Sequence, residues 1–259
     1  MKSIARVLVS IAALLALTTI PTHAIAAEDT RQYYQLRVYS TKSEEQQKRI
    51  VDYWQTAAVP AFNRLGFQPI GVFTEIDDSP TNKIYVLIPG DSFAAFDDLT
   101  AKLANDAVYQ KAGADFLNAP KTNAAFERLE CSLLVAFDGM KRMSLPSADK
   151  KPNVFELRTY LSSSENKGLN KIKMFESGEI GVMKEVGLAP VFYSRILVGP
   201  QMPGLVYMTS GENLDEHKKH WQSFSSATVW KNLQADPQYK DNVSAIIKII
   251  LKRTSASQI

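Results

Sequence analysis

Two arginines stand in the middle of apolar, β-prone stretches, where a charged side chain needs a specific partner. Arg37 lies in "QYYQLRVYS" and Arg158 lies in "NVFELRTY". A tyrosine follows each arginine after two residues, at Tyr39 and Tyr160, so that arginine and tyrosine share one face of an extended strand. Such a pair can bind an anionic or carbonyl-bearing ligand. It can also form internal ion pairs that tie two sheets together, because an unpaired buried charge is strongly destabilising.

Alternation along each strand separates these polar faces from more apolar ones. In the first stretch the apolar set is Tyr34, Leu36 and Val38. The apolar face should pack under helices, and the arginine face should then point into the interior between two sheets. The acidic residues that could pair with an arginine are Glu156, Glu75 and Glu130. The presence of an arginine in both stretches favours the ion-pair interpretation, because a duplicated binding site usually decays in one copy.

Two histidines, His217 and His220, are three residues apart in the stretch "DEHKKHW". On a helix this spacing could hold a metal, but no third ligand is evident and the neighbouring charges indicate a solvated surface. We therefore predict no metal site and no cofactor, and we assign no catalytic residue. The ligand-binding candidates are Arg37, Tyr39, Arg158, Tyr160, His220 and Trp221.

The chain contains an internal repeat, in which residues of the first half match residues that lie 121 positions later. Leu36, Arg37 and Tyr39 fall on Leu157, Arg158 and Tyr160. Other pairs at the same offset are Ser43 and Ser164, Gly66 and Gly187, Pro69 and Pro190, and Val108 and Val229. This repeat predicts a first half at residues 30–138, a polar linker at 139–152 and a second half at 153–254.

Each half shows the same order of predicted elements, β-α-β-β-α-β, which is the ferredoxin-like unit. In the first half these are a strand at 33–39, a helix at 44–65, strands near 68–76 and 83–88, helices over 91–117 and a strand at 124–137. Ser43 is the expected N-cap of the long helix, Pro60 should kink or break it, and Gly66 should end it. Since each sheet needs a cover on its open face, the predicted fold is α+β, with two halves forming one pseudo-dimeric α/β barrel.

The first 26 residues have the features of a secretory signal peptide. A basic start precedes an apolar run of about 14 residues, too short to span a bilayer easily, and small residues of the A-x-A type end at Ala26. Cleavage there predicts a periplasmic or secreted protein, and an uncleaved N-terminal anchor is the alternative. No later stretch is apolar enough to cross a membrane.

Composition limits the other classes. Removal of Lys2 and Arg6 with the signal peptide leaves 28 basic against 27 acidic residues, so no field attracts nucleic acid. The single cysteine, Cys131, excludes an internal disulfide framework and is expected to be a small buried residue. The common hydrolase, nucleotide-binding, redox and zinc motifs are absent from the sequence.

The sequence resembles the NIPSNAP family through "FELRTY", "EVGLAPVFYS" and "HWQSFSSATVW". The last stretch matches that family's aromatic spacing with Trp221, Phe224 and Trp230, whereas the first copy has Thr100, Leu103 and Tyr109. The resemblance implies the dimeric α/β-barrel superfamily, which includes cofactor-free monooxygenases and haem enzymes. It transfers no catalytic residue. Roles of relatives in mitochondria and vesicle trafficking are not carried over, because the signal peptide is bacterial in style.

Three functional hypotheses follow. The first is an exported protein that binds a small organic ligand or a protein partner, including a second copy of itself. The second is a cofactor-independent monooxygenase acting on an aromatic or polyketide-like substrate, and the third is a structural or assembly protein. A pocket of a few hundred Å³ containing Arg158, Tyr160 or His220 would favour the first two, and a fully packed interior would favour the third.

Overall fold

The computed structural model of the protein describes residues 30–76, 82–146 and 154–259. The predicted signal peptide lies outside these ranges, as do most of the turn predicted between the second and third strands and part of the predicted linker.

Eight antiparallel strands close into a barrel in the order β1-β3-β2-β8-β5-β7-β6-β4. The strands are β1 Tyr33–Ser40, β2 Gly71–Glu75, β3 Lys83–Gly90, β4 Arg128–Ala136, β5 Val154–Leu161, β6 Ala189–Val198, β7 Gly204–Gly211 and β8 Ala245–Arg253. Each half contributes four consecutive strands, and the pairs β2–β8 and β4–β6 join the halves. The predicted fold, two ferredoxin-like halves in one α/β barrel, is confirmed.

Helices lie outside the barrel on both halves. They are α1 Glu44–Tyr53, α2 Val59–Arg64, α3 Ala94–Asp97, α4 Leu99–Ala104, α5 Ala107–Ala112, α6 Ala114–Leu117, α7 Glu165–Met174, α8 Ile180–Glu185, α9 Leu214–Ser226 and α10 Thr228–Ala235. A π-helical turn joins α1 to α2 at Trp54–Ala58, and another joins α7 to α8 at Phe175–Glu179. The second half has Gly181 in place of Pro60, so the break does not depend on a proline.

The predicted helix signals act as expected. Ser43 accepts a hydrogen bond from the backbone of Gln46, and Ser164 caps α7 in the same way. Gly66 and Gly187 end the helices of the two halves at φ values of 88° and 85°, a conformation that a glycine adopts without steric strain.

The prediction of which strand face points inward is wrong. Tyr34, Leu36 and Leu157 belong to the apolar core inside the barrel, whereas Tyr39 and Tyr160 belong to the layers between sheet and helices. Most residues that line the barrel interior belong to strands, and the buried residues clustered there are hydrophobic. The arginine faces turn outward, where each arginine has a hydrogen-bond partner two residues away on its own strand and an aromatic side chain from the helices.

Each half also covers a strand of the other half. The segment after β8 runs along β2, where Gln258 donates its backbone N–H to the carbonyl of Ile70 at 2.8 Å, and Ile259 enters the barrel core. In the other direction, the segment after β4 runs along β6, and Phe137 donates to the carbonyl of Tyr193 at 3.0 Å. These exchanged segments bind the halves together beyond the two strand pairings.

Cys131 is exposed, so its prediction as a buried residue is wrong. It lies in the first part of β4, whose first four residues are all exposed, and only the last three residues of the strand are buried. An apolar stretch of sequence therefore does not place every residue of this strand in the core.

Candidate functional site

A carboxylate in β5, Glu156, collects donors from two elements of the second half. Arg158 lies two residues along the same strand face and donates from Nε to Oε1 at 2.6 Å. His217 and Trp221, one turn apart on α9, both approach Oε2, with the His217 Nε2 atom at 2.7 Å. Asn213 caps the start of α9 and so places these two side chains over the sheet.

The Glu156–Arg158 pair is buried and ionised. Burial by itself would raise the pKa of Glu156, but the hydrogen bond from His217 and the charge of Arg158 lower that pKa below its ordinary value. Burial opposes the charge of Arg158, yet the neighbouring Tyr207, Tyr160 and Glu156 raise its pKa. The guanidinium and the carboxylate therefore both stay charged at neutral pH, and each neutralises the other.

Arg158 also contacts aromatic side chains. Its guanidinium carbon lies 3.4 Å from the centroid of the Trp221 ring, which places the cation over the indole face. Its Nη1 atom is 3.4 Å from the hydroxyl oxygen of Tyr160, which in turn lies 2.9 Å from the Tyr207 hydroxyl. The tyrosines extend the polar network away from Glu156 into the layer between sheet and helices.

A second buried ion pair lies in this layer. Lys171, in the last turn of α7, donates from Nζ to Oε2 of Glu179 at 2.6 Å, and both side chains are at most 3% exposed. The Lys171 ammonium lies 5.5 Å, 4.7 Å and 5.2 Å from the ring centroids of Tyr160, Phe175 and Trp230. Aromatic faces and a carboxylate thus surround a single ammonium group.

Glu179 is completely buried, and the Lys171 ammonium contacts one of its two carboxylate oxygens. Its Oε1 atom is buried and has no hydrogen-bond partner among the described residues. Complete burial raises the pKa of Glu179 above its ordinary value, although the charge and hydrogen bond of Lys171 act in the opposite direction. An unpartnered buried carboxylate oxygen is rare in folded proteins, and carboxyl groups with such surroundings occur often at binding and catalytic sites.

The first half has no equivalent of this second ion pair. At the offset of 121 residues, Ile50 stands in place of Lys171, Ala58 in place of Glu179 and Val86 in place of Tyr207. All three are buried in the apolar layer of the first half. At these three positions the fold therefore has apolar residues in the first half and members of a charged network in the second.

The arginine of the first half has a neutral partner. Arg37 donates from Nε and Nη2 to the amide oxygen of Gln35, at 3.1 Å and 2.8 Å, and Gln35 stands where the second half has Glu156. The Arg37 guanidinium lies 5.9 Å from the ring centroid of Trp54 and 5.4 Å from that of Phe62. The two arginines thus share a position and a stacking role, but only Arg158 is matched by an opposite charge.

The family profile of NIPSNAP matches the chain twice, over residues 34–137 and 155–258. The chain belongs to the NIPSNAP family. The two matches coincide with the two halves of the barrel, and the resemblance seen in the sequence is confirmed. No curated protein matches the sequence.

Solved structures share the fold of this NIPSNAP protein across most of its length. A candidate monooxygenase from Lactobacillus acidophilus has a TM-score of 0.57 and 8% identity, covering 86% of this chain and 94% of its own. A candidate monooxygenase from Fusobacterium nucleatum has a TM-score of 0.54 and 11% identity, with coverage of 86% and 93%. An anthrone oxidase-like protein has a TM-score of 0.53 and 7% identity, with coverage of 86% and 92%. Identities this low establish a common fold alone.

The six predicted site residues fall into three places in the NIPSNAP barrel. Arg158, Tyr160 and Trp221 come together around Glu156, and Arg37 and Tyr39 lie in the layer of the other half. His220 packs its ring against Gly187, and its buried Nδ1 atom lacks a hydrogen-bond partner within the described residues. His217 is the histidine that joins the cluster.

Sequence reasoning did not single out Lys171, Glu179 or Tyr207 as site residues. A signal was present in the repeat, because each of these positions is polar in one copy and apolar in the other. Positions with the same residue in both copies drew attention to Arg158, whereas positions that differ between the two copies mark the charged network.

Three surface cavities lie away from this network. One of about 460 Å³ lies on the first half beside α1 and is lined by Arg49, Tyr53 and Phe116 among others. Two smaller ones, of about 170 Å³ and 200 Å³, adjoin Leu169, Ile172 and Arg195 of the second half. None of these three is lined by Arg158, Tyr160 or His220.

The described residues contain neither a cluster of metal-binding side chains nor a membrane-spanning helix. Over residues 30–76, 82–146 and 154–259, no three His, Cys, Asp or Glu side chains are grouped so as to hold a metal ion. Within the same ranges no helix has the length and apolar character needed to span a bilayer.

Proposed function

We propose that this NIPSNAP protein binds a small organic ligand in the layer between sheet and helices of its second half. The observation that carries the proposal is the presence of a buried charged network there, against apolar side chains at the same positions of the first half. The proposal selects the first of the three sequence-based hypotheses.

The energetic argument starts from the duplication. A buried ion pair rarely stabilises a fold more than well-packed apolar residues of similar volume do. The first half demonstrates that this architecture packs with Ile50 and Ala58 where the second half has Lys171 and Glu179. Because stability does not require the pair, a ligand that uses its charges supplies a reason for it.

The shape of the layer suggests an aromatic ligand. Phe175, Tyr193 and Tyr207 pack together with ring centroids 5.3 Å to 5.7 Å apart, and Phe137 and Phe224 extend the same apolar cluster. Such rings favour contact with a planar aromatic ligand, and the charged groups would fix the orientation of that ligand.

The test combines native mass spectrometry of the purified protein with thermal shifts across a panel of small aromatic compounds. A co-purified mass, or a stabilisation that grows with ligand concentration, is the expected result. The matched control is the double variant K171I/E179A, which carries the residues of the first half and should fold but lose binding. Equal binding by this variant, or a clean apo mass with no shift from any compound, would overturn the proposal.

A second candidate function is cofactor-independent oxygenation of such a ligand. The specific observation is Glu179, a buried carboxylate with a raised pKa, which suits a base that removes a proton from an acidic aromatic substrate. The resulting carbanion would supply the electrons that reduce O₂, forming a carbonyl on the substrate and water. Oxygen consumption with a bound ligand, lost in E179Q although binding persists, would distinguish this enzyme from a binding protein.

We propose further that the protein is exported after cleavage near Ala26. The basic start, the apolar run and the small residues before the cleavage point support this. Expression of the full chain in a bacterium with a periplasm, followed by fractionation and mass measurement, tests it. A full-length mass in the cytoplasm would contradict the proposal.

A further inference from the structure

Helix α10 lies on the surface of the second half and contacts the buried core cluster there through Trp230. None of its eight residues is buried, and Val229 is 49% exposed. The helix is bounded by Ala227, with φ −62° and ψ 133°, and by Asp236, with φ −69° and ψ 120°. These extended residues interrupt the helical hydrogen bonding on both sides, so α10 can move as a unit by rotation at its two ends.

Helix α10 covers the Lys171–Glu179 pair. Trp230 lies over the Lys171 ammonium and packs on Phe224, with ring centroids 4.7 Å apart. Two other side chains of α10, those of Val229 and Leu233, approach the backbone of Gly178, the residue directly before Glu179. Displacement of α10 would therefore open the layer at the ion pair.

Gly178 allows this close cover. Its φ of 155° lies where residues with a Cβ atom are strained, and a Cβ there would meet Val229 Cγ1 at 3.3 Å and Leu233 Cδ1 at 3.5 Å. In contrast, a Cβ added to Gly181 on α8 would meet nothing within 4 Å. These two glycines offer a matched pair of substitutions, one under α10 and one away from it.

The ion pair beneath the cover has unused hydrogen-bonding capacity. Among the described residues, Oε1 of Glu179 has no hydrogen-bond partner, and Lys171 donates to Oε2 of Glu179 and to the sulfur of Met174 at 3.3 Å. Within the described residues the third ammonium hydrogen faces aromatic rings instead of an acceptor atom. A hydroxyl group matches both needs, because it can accept from Lys171 and donate to Glu179.

We propose that α10 is a lid over a binding site for a hydroxylated aromatic ligand, whose hydroxyl binds between Nζ of Lys171 and Oε1 of Glu179. This inference rests on the proposed ligand-binding function, and it adds the chemical class and the route of entry. The lid gives a route of entry to a site that none of the three surface cavities described above reaches. The rings of Trp230, Phe175 and Tyr160 would surround the aromatic body.

The experiment measures how accessible the Lys171 ammonium is to a reagent in the purified protein. Acetylation of surface amines followed by peptide mapping gives the modification rate of Lys171, and hydrogen exchange gives the opening of α10. We expect α10 to exchange faster than α9, and G178A to raise Lys171 acetylation about tenfold while G181A leaves it unchanged. Naphthol should protect Lys171 in the wild type, and its methyl ether, which has no hydroxyl donor, should not.

The outcomes separate the lid from the ligand class. Equal acetylation of Lys171 in G178A, G181A and the wild type, or exchange in α10 as slow as in α9, would overturn the lid. Equal protection by naphthol and its methyl ether, or protection by neither, would overturn the assigned hydroxyl contact. The wider ligand panel tests the proposed function separately, because a compound that binds without protecting Lys171 leaves that function intact and places the ligand elsewhere.

Discussion

The guanidinium of Arg158 lies over the ring of Trp221, with its carbon 3.4 Å from the indole centroid, and both side chains donate a hydrogen bond to the carboxylate of Glu156. A strand and a helix are thus held together by one anion and two flat donors. This contact ties β5 to α9 across the layer, in place of the sheet-to-sheet tie that strand alternation suggested. The contribution of this contact to stability can be compared with that of the neutral Arg37–Gln35 pair in the first half.

Arg158→Leu should destabilise the fold by roughly 3–5 kcal/mol, because it leaves the buried Glu156 carboxylate without its main counter-charge. For a chain of this size that corresponds to a fall in melting temperature of about 10 °C. Arg37→Leu is the matched control and should have a smaller effect, since Arg37 pairs with the neutral Gln35. Equal losses in the two variants would contradict the assigned role of the Glu156 charge.

Glu156 should make the stability of the protein sensitive to acid. Its folded-state pKa is lowered, so its contribution is fully present above the ordinary pKa of a glutamate and is lost as pH falls through the folded-state value. Glu156→Gln should therefore be less stable at neutral pH and show a flatter acid limb in urea unfolding measured across pH. Glu185→Gln, a change at an exposed position at the end of α8, should leave the acid limb unchanged. Parallel acid limbs in the wild type and E156Q would refute the linkage.

Lys171→Met should leave Glu179 buried without a counter-ion and lower the melting temperature. Burial raises the pKa of Glu179, and K171M removes the charge that opposes this shift, so the stability of K171M is lost as pH rises through the raised value. The loss in K171M should therefore be largest at alkaline pH and shrink toward acid. The double variant K171I/E179A removes both charges and should match the wild type or exceed it. A double variant clearly less stable than the wild type would show that the pair itself holds the layer together.

Cys131 should react with one equivalent of a chromogenic disulfide reagent in the native protein, because its side chain is exposed on β4. Cys131→Ser should change the melting temperature by less than about 1 °C, as expected for an exposed position outside the core. A thiol that reacts only after addition of denaturant would indicate that this part of β4 is covered in solution.

The repeat made the architecture readable from the sequence. Matching letters at one offset predicted two equivalent halves, and the caps at Ser43 and Ser164 and the glycines at Gly66 and Gly187 stand where the helices begin and end. These features depend on local backbone geometry, and a short stretch of sequence is enough to specify them. The same is true of the pairing of Arg158 with Glu156, one of the three partners considered, since two residues on one strand face are necessarily close.

The direction of the strand faces could not be obtained in this way. Tyr34 and Leu36 were expected under helices and lie inside the barrel, because alternation separates two faces without showing what covers each of them. The choice depends on barrel closure, which brings the apolar faces of the two halves together. For the same reason His217 joins the cluster and His220 does not: their places on α9 are local, but the carboxylate that His217 meets belongs to β5, 61 residues away in the chain.

The sequence by itself therefore determined the duplication, the order of elements, the family and the residues able to carry charge into a strand, since each is encoded in local pattern or in repetition. Only the tertiary structure decided which of those residues meet. It placed Lys171 against Glu179 and closed α10 over them, and it left the first half apolar at the same positions. The physical reason is that burial and partner choice arise from contacts between distant segments, and the free energy of a charged side chain depends on those contacts more than on its neighbours in sequence.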